Sequence, residues 1–235
     1  MEPALVVDIG NSRVKAALFD ESGKYKAFIA QRPEELPISK LTNIIFIDTR
    51  GEALWREYLL HRGAEELTSA KPLPLETFYS KELGADRAAQ LVAVWYQRQF
   101  PAIIVSMGTA WVIDILDKRG IHLGGVILAG AHLRLKALHT HTGKLPLYPL
   151  PSLSPPLIGI CTQEALQAGA FWGTLLEIQG WLGWLTASLP QATLWVTGGE
   201  SALLLPYLPV QTIFAPELTL QGAWQWWNYL RGYFP

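Results

Sequence analysis

The segment Asp8-Ile-Gly10-Asn11-Ser12-Arg13-Val14-Lys15 carries residue types that phosphoryl transfer requires. Such chemistry needs donors for phosphate oxygens, a carboxylate for Mg²⁺ or its waters, and positive charge near the transferring group. A tight glycine turn lets the backbone approach an anion with successive N–H groups aimed at it. Asp8 closes an apolar run, where it can act as the metal-side carboxylate, and Lys15 on the return strand can reach phosphates. The same residues also suit an ordinary hairpin whose turn is Asn11-Ser12. A second segment, Ser106-Met-Gly108-Thr109-Ala-Trp-Val-Ile-Asp114, follows another apolar run in the same manner. Two such loops facing across a cleft can grip a triphosphate from both sides.

Gly84-Ala85-Asp86-Arg87 stands at an expected helix start. Asp86 there is either a general base for a substrate hydroxyl or an acid stabilising a helix N-terminus. Val196-Thr-Gly-Gly-Glu200 runs from a strand through glycines into a helix, which suits close approach of a flat ligand such as adenine. Thr162, in CTQEA, opens a long helical stretch, where it is either a further site candidate or only a cap, with Glu164 in the first turn. His132, His139 and His141 lack a nearby cysteine, and the His139-x-His141 spacing does not match one helical face, so zinc is not expected.

These segments need elements to hold them. Ala4 to Ile9 reads as a strand, Val14, Ala16 and Leu18 as one face of its return, and Tyr25 to Ala30 as a third strand. Asn43 to Asp48 reads as a buried strand, Glu52 to Arg62 as a helix, and Asp86 to about Gln99 as a helix with an apolar stripe. The pattern then repeats: strands over Ala102 to Met107, Trp111 to Leu116 and Ile121 to Leu128. A proline-rich connection, Pro146 to Pro156, leads to the apolar stretch Ala165 to Leu189, expected as one helix or two. Thr193 to Val196 (strand), Ser201 to Leu208 (short helix), Val210 to Phe214 (strand) and Leu218 to Leu230 (helix) follow. The duplication predicts two similar α/β domains with a cleft between them, over 1–100 and 101–235. A first strand that returns through a hairpin, with no GxGxxG after it and no GxxxxGK[ST] anywhere, argues against a Rossmann or P-loop fold.

Composition narrows the class. The 235 residues are 50% hydrophobic and 17% charged, ample for a sizeable core, and the net charge of −1 offers no field for nucleic acid. One cysteine, Cys161, fits a reducing compartment, and MEPALVVDIG lacks a basic n-region, so a cytoplasmic protein without a signal peptide is expected. Glu177, Gln167, Gln179 and four glycines interrupt the apolar stretch, which therefore reads as a buried or interface helix rather than a membrane span. Its Trp172, Trp181 and Trp184 either fill a core or cover a self-association surface.

Taken in order along essentially the whole chain, the motifs resemble those of type III pantothenate kinases, which phosphorylate pantothenate at the start of coenzyme A synthesis. DIGNSRVK is similar to the family's DxGNTxxK, GADRAA to its GADR, and SMGTAWVID to its DxGTAxTxD. GGVILAGAHLRLKALHTHTGKLP, CTQEALQAG, VTGG and PELTLQGAW resemble its remaining segments. The resemblance implies two RNase-H-like domains of the actin/hexokinase-like ATPase class, ATP with Mg²⁺, a monovalent cation (K⁺ or NH₄⁺), and a homodimer. It implies that Asp8, Gly10, Asn11, Ser12, Arg13 and Lys15, with Thr109, bind ATP, Asp8 on the Mg²⁺ side. It assigns Asp86 as the base acting on the pantothenate hydroxyl, and Gly84, Ala85, Asp86, Arg87 and Thr162 to the pantothenate site. Ser106 stands where the family has a cation-binding aspartate, and a neutral hydroxyl is a poorer ligand for K⁺. Thr77 stands where the family has a pantothenate-contacting tyrosine, with Tyr79 two residues away. A kinase for another hydroxylated metabolite, or a non-catalytic nucleotide-binding relative, are the competing readings.

Overall fold

An apolar run draws Ala4–Ile9 into strand β1 and alternation draws Val14–Phe19 into β2, an antiparallel pair in which Asp8 stands opposite Lys15. β3 (Tyr25–Ala30) extends the antiparallel ladder. β4 (Ile44–Asp48) lies parallel to β1, and the short β5 (Glu65–Glu66) parallel to β4. The sheet order is β3-β2-β1-β4-β5. The computed structural model describes residues 1–38, 43–80, 82–209 and 211–233.

Side chains of β1 alternate between two faces. Leu5, Val7 and Ile9 join a core with Trp55 and Leu59 of α1 (Ala53–Leu60). Asp8 takes the other face, and its charged neighbours include Asp86 of α2 (Ala85–Tyr96) and Glu217, the residue before α6 (Leu218–Leu230). The period-two pattern that builds the core thus aims one carboxylate away from it.

The second sheet contains β6 (Ala102–Met107), β7 (Ala110–Leu116), β8 (His122–Ala129), β9 (Thr193–Thr197) and β10 (Ile213–Phe214), in the order β10-β9-β6-β7-β8. β9 runs parallel to β6 and β10 to β9. Read from the edge that holds the third strand, both sheets follow third, second, first, fourth, fifth. The duplication visible in the sequence is therefore a duplication of topology. The remaining helices are α3 (Ala131–His141), α4 (Thr162–Ser188) and α5 (Ser201–Leu204). α4 is one continuous helix of 27 residues, with Phe171, Thr174, Leu175, Ile178 and Leu182 buried along one side. No helix among the described residues is long and apolar enough to cross a membrane.

Two compact units divide the chain. Unit 1 comprises Met1–Phe100, Leu116–Gly124 and Glu217–Pro235; unit 2 comprises Pro101–Ile115 and Gly125–Pro216. Helix α6 thus belongs with the first unit, although the sequence reading placed residues 217–235 in the second domain. The expected strand from Val210 narrows to Ile213–Phe214, and Val210 itself lies outside the described residues.

Three tryptophans anchor α6 in unit 1. Trp224, Trp226 and Trp227 are buried, and their indole N–H groups donate to the Glu2 carbonyl, the Pro72 carbonyl and Glu65 Oε2 at 2.9, 2.6 and 3.0 Å. Each buries a large ring while keeping its polar handle satisfied. Where α6 crosses α2, Gly222 rests on the α2 backbone, and a Cβ there would overlap the Ala89 carbonyl. Gly222→Ala is therefore expected to destabilise the fold by about 3 kcal/mol, the upper range for overpacking. Thermal melting checks this; an unchanged Tm contradicts the close crossing.

Candidate functional site

Unit 1 gathers four charged groups from three distant stretches of chain. Asp8 and Lys15 pair across the β1–β2 hairpin, Asp86 enters from the first turn of α2, and Glu217 precedes α6. Lys15 Nζ lies 3.5 Å from Glu217 Oε2, both side chains mostly covered. Burial pushes the Asp8 carboxyl up to about 7, and repulsion from Asp86 and Glu217 adds to the rise while Lys15 opposes it. Asp8 nevertheless keeps a partial opening to solvent, so a ligand or water can reach it. A carboxylate crowded by others is a site that gains from a cation.

The turn of the hairpin faces solvent: Asn11, Ser12 and Arg13 are exposed and Gly10 half-buried. A Cβ on Gly10 would come 3.2 Å from the Arg13 carbonyl, so the tightness of the turn favours glycine there. Gly84 is a glycine for a different reason. Its φ of −55° suits any residue, but a Cβ would stand 2.7 Å from Asp86 Oδ1. The Asp86 carboxylate folds back over the helix entry, and a Cβ at position 84 would push it out of that place.

Beside Asp86, Arg87 is buried and its guanidinium lies 4.5 Å from the Tyr79 ring centroid. The Tyr79 ring stacks on fully buried His122 at 5.9 Å. Thr77 Oγ1 shares a 2.8 Å hydrogen bond with His122 Nδ1 and accepts from the Tyr79 N–H at 3.0 Å. Thr77 therefore supports Tyr79, and Tyr79 is the aromatic that meets Arg87. Sequence reasoning left this position unassigned, because the ring is brought into place by His122, which carries no motif.

Ser106, Thr109 and Thr162 lie in unit 2. Ser106 is the penultimate residue of β6 and pairs in register with Thr197 of β9. The Gly108–Thr109 link is a tight turn, with the Gly108 N–H donating to the Ala110 carbonyl at 3.2 Å and the Thr109 carbonyl accepting from the Gly130 N–H at 3.1 Å. Thr162 is the first residue of α4 and is exposed. Gly198, read from sequence as room for a ligand, has φ +101°, and a Cβ there would overlap the Met107 backbone. The glycine is demanded by packing against the end of β6. Among the described residues, no group of three or more His, Cys, Asp or Glu could hold a metal ion by itself.

The family model for type III pantothenate kinase matches residues 51–183 of the chain. This chain belongs to that family. A type III pantothenate kinase of Porphyromonas gingivalis is 31% identical over 238 residues, covering 93% of this chain and 95% of that protein. Among solved structures, a Campylobacter jejuni protein described as a Baf family transcriptional activator is similar with TM-score 0.64 and 26% identity, covering 97% of this chain and all of that one. The activator of 2-hydroxyisocaproyl-CoA dehydratase from Clostridium difficile, solved with bound ADPNP, is similar in fold with TM-score 0.57 at 10% identity, covering 98% and 96%. The fold of this pantothenate kinase family member is that of the actin/hexokinase-like ATPases.

Proposed function

We propose that this chain transfers the γ-phosphoryl group of ATP to the hydroxyl of pantothenate, giving 4′-phosphopantothenate and ADP for coenzyme A biosynthesis. Membership of the type III pantothenate kinase family carries the reaction, and the grouping of Asp8, Lys15 and Asp86 supports the roles. The Asp8–Lys15 hairpin, with Gly10, Asn11, Ser12 and Arg13, binds the ATP phosphates, and Thr109 also contacts ATP. Asp86 accepts the proton from the attacking hydroxyl as the transfer proceeds, a step in which a carboxylate suffices. Gly84, Ala85, Arg87 and Thr162 bind pantothenate, and Tyr79 lines that site against Arg87.

The donor set fits Mg²⁺. Asp8 offers hard oxygen ligands crowded by the negative charges of Asp86 and Glu217, and Mg²⁺ is characteristically held by one or two carboxylates, waters and substrate phosphates. When bound, it would neutralise charge on the phosphates of ATP. A monovalent cation, K⁺ or NH₄⁺, completes the set. Ser106, in register with Thr197, offers it a neutral hydroxyl in place of a carboxylate, which makes that site weaker or differently built.

The partners are the two substrates and a second copy of the chain. The net charge of −1 supports no nucleic-acid partner, and the exposed free Cys161 supports a reducing, cytoplasmic setting. The homodimer is supported by α4, which presents Trp184 at 80% exposure and Leu176 at 61% beside open Gly169, Gly180 and Gly183. Exposed aromatics of this kind are typical interface anchors, commonly worth about 2 kcal/mol or more when truncated. Trp184→Glu is expected to convert a dimer into a monomer in sedimentation velocity; a wild type that sediments as a monomer rejects the dimer.

A panel of hydroxylated acceptors with Mg-ATP, followed by ADP release, separates this reading from a kinase for another metabolite. Release should be stimulated by pantothenate above every other acceptor. Stronger stimulation by a different acceptor would replace the substrate, and release with none would favour a non-catalytic relative.

A further inference from the structure

Three segments of unit 2 converge on one carboxylate that sequence reasoning passed over. Glu200 follows Gly198-Gly199, and its side chain is 12% exposed. Its Oε2 accepts from the Trp111 indole N–H at 2.8 Å and from the Ala131 backbone N–H at 3.2 Å. Its Oε1 lies 2.8 Å from His132 Nδ1 and 3.5 Å from the His132 backbone N–H. Trp111 is fully buried and sits two residues beyond Thr109. Ala131 and His132 open α3.

The backbone ties the same three segments together. The Glu200 N–H donates to the Met107 carbonyl at 2.9 Å, and the Gly130 N–H to the Thr109 carbonyl at 3.1 Å. A Cβ on Gly130 would stand 2.6 Å from the carbonyls of both Gly108 and Thr109, so the entry of α3 rests directly on the turn. An enclosed carboxylate is a poor device for stability alone, since apolar groups of similar shape serve as well. Charge-assisted bonds to several donors instead define one geometry.

We propose that Glu200 is a positioning residue for nucleotide binding: it locks the Gly108–Thr109 turn, the entry of α3 and the Gly198–Gly199 loop into one arrangement. It acts through Trp111 on Thr109. The inference rests on the reading above that Thr109 contacts ATP.

The test measures affinity for a non-hydrolysable ATP analogue with Mg²⁺ by calorimetry, alongside KM for pantothenate and thermal melting. Glu200→Met, which keeps the length of the side chain but removes both acceptor oxygens, should weaken nucleotide binding about 10-fold, the lower range for groups that orient a binding residue. KM for pantothenate at saturating ATP should stay within about twofold, because the acceptor residues next to Asp86 are not touched by Glu200. Trp111→Phe keeps an aromatic ring but removes the indole donor, and should weaken the nucleotide in the same direction. The double variant should fall short of the sum of the two single losses, since both changes remove the Trp111–Glu200 bond. Trp111→Phe carries the test by itself if Glu200→Met does not fold. Nucleotide affinity within about twofold of wild type in the folded variants overturns the inference, as does a strictly additive double variant. Equal losses for nucleotide and pantothenate would also overturn it, marking a general loosening. Wild type that binds the analogue but does not phosphorylate pantothenate sinks the acceptor reading and leaves this inference standing. Wild type that binds no analogue sinks both.

Discussion

Asp86→Asn is expected to lower kcat for phosphopantothenate formation by about 10²- to 10⁴-fold, the usual contribution of a positioned general base. Affinity for the ATP analogue should change little, and the melting temperature should hold or rise. The reasons are local. Asparagine has the shape of aspartate, so the fold of the side chain over Gly84 is retained. It cannot accept the hydroxyl proton. It also removes one of the negative charges that crowd Asp8, which relieves the ligand-free protein. Wild-type turnover in the variant would show that the proton leaves by another route and would remove Asp86 from the base role.

Asp8→Asn should produce the second large effect, in opposite directions for activity and stability. Turnover should fall about 10²- to 10³-fold, as expected when a group that holds a catalytic cation worth several kcal/mol is lost. The ligand-free protein should become more stable at pH 8. The sign follows from the raised carboxyl. In the folded chain Asp8 releases its proton near 7, and in the unfolded chain near its ordinary value of 3.8. Between those values the folded state holds more protons than the unfolded state, so wild-type stability falls as pH rises through the window and is level above it. Asparagine has no such proton to lose. The melting temperatures of wild type and variant should therefore be close near pH 4 and separate by a few degrees above pH 7, with the variant higher. A variant less stable than wild type at pH 8 would mean that the ionised carboxylate is stabilised in the fold, contrary to its crowding by Asp86 and Glu217.

The same cluster shows what a sequence can and cannot reveal. β1, β3, β6 and α6 begin and end where apolar patterning and turn residues put them, because those signals are local. The Asp8–Lys15 pairing follows from the hairpin alone. Glu217 is different: it meets Lys15 across 202 positions of sequence, and nothing around it marks an approach to the hairpin. Only the whole segment PELTLQGAW stood out. Helix α3 was not anticipated, and its burial explains why. Only Ala131 and Leu135 are buried along it, so no apolar stripe repeats at helical spacing. The Gly198 position drew the eye as a ligand loop, although its glycine answers to Met107. Glu200 is visible only as the end of that glycine loop, and His122 carries no signal, since each acts through donors or rings contributed by distant segments. The helix α4 was legible as a long apolar element, while which of its tryptophans lie outside required the packing of the other face against unit 2's core.

The central claim is that this chain phosphorylates pantothenate with ATP, using residues of the Asp8–Lys15 hairpin and Asp86. The most direct measurement follows product by mass spectrometry after purified protein is incubated with Mg-ATP and saturating pantothenate, in parallel K⁺ and Na⁺ buffers. The account predicts phosphopantothenate with stoichiometric ADP in the K⁺ buffer, and the ratio of the K⁺ and Na⁺ rates reads how much of the cation site Ser106 leaves. No phosphopantothenate in either buffer would contradict it.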